Sequence, residues 1–96
     1  MLYFYSIENA RVRARWNPIK DYLLMLTRGL GFKEVLKGRF VKITQHPKRE
    51  SQKILFIWHK DYIWLVPHVR QGDDMFLKTL YPSRKYTKLY KTRKFP

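Results

Sequence analysis

Apolar and polar positions change their period along this chain near residue 40. Before it, the spacing is mostly helical. Asn17-Pro18 opens a helix: the Asn side chain caps free amides, and Pro at the first helical position wastes no donor. Ile19, Tyr22, Leu23 and Leu26 then repeat as an apolar stripe. Arg28 suits the negative end of the helix dipole, and Gly29 takes the left-handed conformation that stops the helix. Residues 32–36 read as a short second helix that ends near Gly38. Ahead of these helices, residues 2–7 allow a short strand. Arg11, Val12, Arg13, Ala14 and Arg15 alternate basic with apolar, as an exposed edge strand does.

After residue 40 the pattern is that of strands: 40–44, 53–58, 62–69 and 75–81. Between them lie a polar loop at 45–51, a tight turn at His59-Lys60-Asp61 and a glycine-centred turn at 70–74. Pro67 has no amide donor and belongs at a strand edge or bulge. Pro82-Ser83 closes the last strand, with Ser83 placed to cap a helix over 84–93. The expected fold is α+β: two N-terminal helices, an antiparallel sheet of about four strands, then a C-terminal helix. One domain over 1–96 accommodates this order, with 1–15 as an N-terminal extension.

Charge adds what the pattern cannot. Twenty-one Lys and Arg face seven Asp and Glu, a formal net charge of +14. Charge of this size does not choose a fold but does point to a polyanionic partner. Hydrophobic residues make up 45%, too many for a disordered tail. No apolar run approaches the roughly 20 residues of a spanning helix, and the N-terminal segment lacks the features of a signal peptide. A cytoplasmic protein with no membrane partner is expected. There is no Cys, which removes disulfides, thiolate catalysis and Cys-based zinc sites. His46, His59 and His68 do not have the spacing of a helical metal pair, so neither metal nor cofactor is expected.

Two stretches, Trp16-Asn17-Pro18 through the Arg28-Gly29 helix end to Phe32, and the Val66-Pro67 strand through Phe76-Leu77-Lys78-Thr79 to Pro82-Ser83-Arg84-Lys85, carry a family resemblance. Residues 16–35 resemble the opening, and 66–90 the end, of the BrnT-like toxins within the RelE/ParE toxin superfamily. Together they cover about half the chain in the right order. Gly31 stands where that group carries a Ser or Thr cap. The resemblance implies a twisted sheet flanked by helices, metal-independent RNA cleavage, and a cognate antitoxin of a type II toxin–antitoxin pair.

Cleaving RNA without metal requires three things. A group must take the 2′-hydroxyl proton, cations must stabilise phosphate charge, and a donor must protonate the leaving oxygen. The densest set of suitable side chains is Lys78, Tyr81, Arg84 and Lys85, where the last strand meets the last helix. The helix N-terminus there also favours an anion. Arg84 would hold the phosphate, Lys78 or Lys85 would steady developing charge, and Tyr81 or a His would move protons. Lys48, Arg49, Gln52 and Lys53 read as phosphate-facing, with His59, Lys88 and Lys91 as further RNA contacts. Each has a plainer reading as a solvated charge. His46 and His59 are equally readable as idle surface residues, and Tyr86, Leu89 and Tyr90 as the face that docks the helix. Trp58, Tyr62 and Trp64 suit either base stacking or cross-strand packing. Three functions fit this pattern. The first is a ribonuclease toxin with RNA and an antitoxin as partners. The others are a non-catalytic basic RNA- or DNA-binding module and a toxin that inhibits a protein target such as gyrase.

Overall fold

The basic–apolar alternation at 11–15 decides the architecture. In the computed structural model, which describes residues 3–96, these positions form a strand inside the sheet rather than at its edge. β1 (Tyr3–Ile7) turns back into β2 (Ala10–Trp16) through Glu8 and Asn9, whose φ angles are 47° and 70°. Two successive positive φ values match the right-handed twist of a hairpin. Leu2, the first residue of the strand expected at 2–7, lies outside the described residues.

α1 (Pro18–Arg28) begins as its sequence requires, with Asn17 Oδ1 accepting from Ile19 N at 2.8 Å and Lys20 N at 3.3 Å. It ends at Gly29, φ 83°. α2 (Phe32–Val35) takes its cap from outside itself: Asp21 Oδ1 accepts from Phe32 N at 2.8 Å. A Cβ on Gly31 would collide with that carboxylate, so glycine is what lets α1 cap α2. The strands β3 (Arg39–Gln45), β4 (Lys53–His59), β5 (Tyr62–Gln71), β6 (Asp74–Leu77) and β7 (Tyr81–Ser83) follow, then α3 (Arg84–Lys91).

The expected order of two N-terminal helices and a four-stranded antiparallel sheet is not what forms. The described residues are sheet-rich, 46% strand and 24% helix, with seven strands curled into a half-barrel. The order is β1-β2-β6-β5-β4-β3, and β7 pairs with β5 off this path. Two features account for the difference. The two strands expected ahead of α1 form a hairpin that joins the main sheet, its second strand parallel to β6, Arg13 opposite Asp74 and Trp16 opposite Leu77. The strand expected at 75–81 is split in two by its neighbour, Pro67. The Pro67 carbonyl accepts from Lys78 N at 2.9 Å, but its nitrogen has no proton for that same edge of β5. The ladder with β6 stops at Leu77 opposite His68 and resumes as β7 at Tyr81 opposite Leu65.

The sheet buries both faces unequally. On one, α1 and α2 cover Val12, Ala14, Trp16, Leu55, Ile57, Val66, Met75 and Leu77, with Phe32 fully buried against Trp16. On the other, Tyr86, Tyr90 and Phe95 from α3 and the segment after it pack on Ile54, Phe56, Ile63 and Leu65. His68 lies fully buried in β5, so it does not face solvent. Its Nδ1–H donates to the Val66 carbonyl at 3.1 Å, while Nε2 has no partner. Burial, together with the nearby Arg70 and Lys53 cations, holds its pKa below the ordinary 6.5. The unfolded chain therefore binds the proton first as pH falls. The stability contributed by neutral His68 is complete above about 6.5 and is lost as pH drops toward the folded value. The melting temperature should decline from about pH 7 to about pH 5. In His68→Leu that decline should flatten; an equally steep decline in the variant would assign it to other groups.

Candidate functional site

A loop and a strand break make the site. After β3, the 46–52 loop is held by its own hydrogen bonds. Gln45 Nε2 donates to the carbonyls of Glu50 (2.8 Å) and Gln52 (2.9 Å), and His46 N donates to Gln52 O at 3.0 Å. The His46 ring joins this network: Nδ1 accepts from Lys48 N at 3.0 Å and Arg49 N at 3.2 Å. A nitrogen that accepts carries no proton, so the neutral ring has its N–H on Nε2. Across from this loop is the gap between β6 and β7. Together they enclose an open pocket of about 360 Å³, lined by His46, Arg49, Gln52, Pro67, Lys78, Thr79 and Tyr81. Two cations, an imidazole and a phenol face one space, with no carboxylate among its lining residues. Such a space suits a phosphate.

Tyr81 is shared with a second pocket of about 340 Å³ that includes Thr44, Gln45, Phe56, Tyr86 and Phe95. The two pockets meet at Tyr81, one basic and one largely apolar, with Lys42 at its lining.

The structure divides the residues singled out from sequence. Lys78 and Tyr81 reach the basic pocket, and Arg49 of the expected phosphate contacts joins them. Arg84 and Lys85 do not. The β7 register, Tyr81 opposite Leu65 and Ser83 opposite Ile63, carries the chain away from Pro67 before α3 begins. Arg84 is exposed, and Lys85 sits over the Tyr86 ring, 5.4 Å from its centroid. Ser83 caps α3 through Tyr86 N at 3.1 Å, as its position implies. Lys88 and Lys91 are exposed on α3, Lys48 is exposed in the loop, and Lys53 opens β4 opposite His68. His59 points away from the pocket: its Nε2 meets Glu34 Oε2 at 2.9 Å and its side chain is only 10% exposed. This bond and the cations Lys37 and Lys60 hold the Glu34 carboxyl below its usual range.

The aromatics sort the same way. Trp64 is buried, and Trp58 packs on Tyr90 with centroids 4.8 Å apart, so both serve packing. Tyr90 docks α3 and accepts a hydrogen bond from Arg39.

No family model, curated protein or solved structure matches this chain.

The sequence marks Gln52 as phosphate-facing but does not distinguish His46 from His59 or single out Thr79, which lies beside Lys78 in the pocket. The available signal was Pro67. A proline in a central strand demands a break in the partner ladder, and that break opens the pocket. Among the described residues, no three His, Asp or Glu side chains gather as a metal ion requires, and no helix is long and apolar enough to cross a membrane.

Proposed function

We propose that this protein is a metal-independent endoribonuclease of the cytoplasm, acting as the toxin of a toxin–antitoxin pair. The observation that carries the reading is the convergence of Arg49, Lys78, His46 and Tyr81 on one pocket. Arg49 grips the scissile phosphate with its planar fork, and Lys78 places a point charge beside it. His46, with its proton on Nε2, donates a hydrogen bond to a phosphate oxygen. Tyr81 moves protons. The ribose 2′-oxygen bonds to phosphorus as the P–O5′ bond breaks. The proton lost by the 2′-hydroxyl is balanced by the one gained by the leaving 5′-oxygen. The products are a 2′,3′-cyclic phosphate and a 5′-hydroxyl. The apolar pocket beyond Tyr81 is placed for the adjoining base.

The toxin role rests on the resemblance of 16–35 and 66–90 to BrnT-like toxins and on the excess of cations. An inhibitor of a surface with net charge +14 needs carboxylates, so the antitoxin carries an acidic segment. The purified protein should cleave RNA in the presence of EDTA and leave cyclic phosphate ends, read by end-labelling and mass spectrometry. RNA that is bound but uncut would leave a non-catalytic binding module. Cleavage abolished by EDTA would end the metal-free mechanism.

A further inference from the structure

The sheet is covered by α3 over only part of that face. Register places Phe4 opposite Arg13, Arg13 opposite Asp74, Arg15 opposite Phe76 and Phe76 opposite Val69, so these side chains share one face. It is the face on which α3 packs over β4 and β5, because Ile63 and Leu65 lie at the same alternate positions of β5 as Val69. Over β1 and β2 it is open, and on the adjoining β6 Phe76 is half-buried while Asp74 is buried beside the arginines. Arg11 is exposed there, the Arg13 and Arg15 side chains are 44% and 54% exposed, and Phe4 is 52% exposed.

The charges on this face are organised. Asp74 accepts from Arg13 Nε at 2.6 Å and Nη2 at 2.8 Å, and lies 3.6 Å from Arg15 Nη1. One carboxylate thus orients two guanidiniums, and Asp73 beside it lines the same shallow pocket as Phe4, Arg11 and Arg13, so Arg11, Arg13 and Arg15 outnumber the carboxylates Asp73 and Asp74. The Arg11 guanidinium lies over the Phe4 ring, 4.4 Å from its centroid. At the other end, Lys78 Nζ lies 5.4 Å from the Phe76 ring centroid while the same residue lines the basic pocket. The exposed face and the pocket are therefore continuous through Lys78.

We infer that the open face of β1 and β2, continued by β6, binds single-stranded RNA and leads it into the pocket at Lys78. Resting on the ribonuclease reading, this assigns the path of the substrate beyond the cleaved bond. Arg11, Arg13 and Arg15 repeat every second residue of one strand, about 6.6 Å apart, and so offer regularly spaced cations to a phosphate backbone. Phe4 offers its exposed ring to an unpaired base, and the half-buried Phe76 continues the aromatic path toward Lys78. A duplex hides its base faces, so the aromatic contacts select a single strand.

The test is binding of a fluorescent, non-cleavable 2′-O-methyl oligouridine, about 12 nucleotides long, over a range of salt concentrations. Arg11→Ala/Arg15→Ala should weaken binding and reduce the log–log salt slope by about 1.4, the contribution of two phosphate contacts. Phe4→Ala should weaken binding about tenfold with the slope unchanged, because stacking releases no counterion. Both sites are exposed, and unchanged melting temperatures would verify folding. Native affinity in both variants overturns the inference, as does a duplex of equal length binding as tightly as the single strand. Tighter binding of the matching oligodeoxythymidine overturns the assignment to RNA. The two readings fail separately. Weakened binding in these variants, with full cleavage by Arg49→Ala/Lys78→Ala, leaves the track and removes the pocket. Unchanged binding, with cleavage lost in the pocket variant, does the reverse.

Discussion

Arg49→Ala and Lys78→Ala are each expected to lower RNA cleavage by about 10²–10³-fold, the effect of one lost electrostatic contact to a transition state, roughly 2.7–4 kcal/mol. Arg84→Ala is expected to leave the rate close to native. The contrast follows from position. Arg49, from the 46–52 loop, and Lys78, from the gap between β6 and β7, line the same pocket, whereas Arg84 begins α3 beyond Ser83, at the far end of β7. Both pocket residues are exposed, so the melting temperature should barely move. Single-turnover cleavage of a short oligonucleotide at saturating protein separates chemistry from binding. A rate lost with Arg84 and kept without Arg49 would return the active centre to the start of α3. A double variant close to either single variant would show the two cations acting on one phosphate as a unit.

Local signals in this sequence are readable wherever the cause is local. Asn17, Pro18 and Gly29 bound α1 because capping and a left-handed stop need only neighbouring atoms. Ser83 caps α3 for the same reason. The turns at Lys60-Asp61 and Gly72 fall where polar residues separate apolar runs. Long-range pairing was not readable in this way. Period-two alternation at 11–15 identifies a strand but not its partner, and nothing near Arg13 announces Asp74, sixty-one residues away. The candidate site divides along the same line. Lys78, Tyr81, Arg84 and Lys85 form one cluster in sequence, but only Lys78 and Tyr81 line the pocket, because the β7 register carries Arg84 and Lys85 away from it. His59 and His46 looked alike as loop residues. Only the fold turns one toward Glu34 and the other toward the pocket.

Leu24→Ala is expected to cost about 2–5 kcal/mol of stability, while Leu23→Ala next to it should change stability by no more than about 0.5 kcal/mol. The helical stripe of Ile19, Tyr22, Leu23 and Leu26 suggests the opposite. In the structure those four side chains are 72%, 61%, 50% and 65% exposed, and Leu24 is the buried residue of α1 at 4%. The reason is how α1 is anchored. It leaves the core strand β2 directly after Trp16 and is tied to α2 through Asp21, the carboxylate that caps Phe32. The face carrying Asp21 and Leu24, three residues apart, must therefore turn inward, and the richer apolar stripe turns out. Chemical denaturation of both variants, with the slope on denaturant checked for constancy, reads the difference directly. A large loss in Leu23→Ala with little in Leu24→Ala would mean that α1 is rotated about its axis, with the stripe packed on the sheet. The Asp21 cap on Phe32 would then be absent too, and Asp21→Ala would leave stability unchanged instead of costing about 1 kcal/mol for a lost cap.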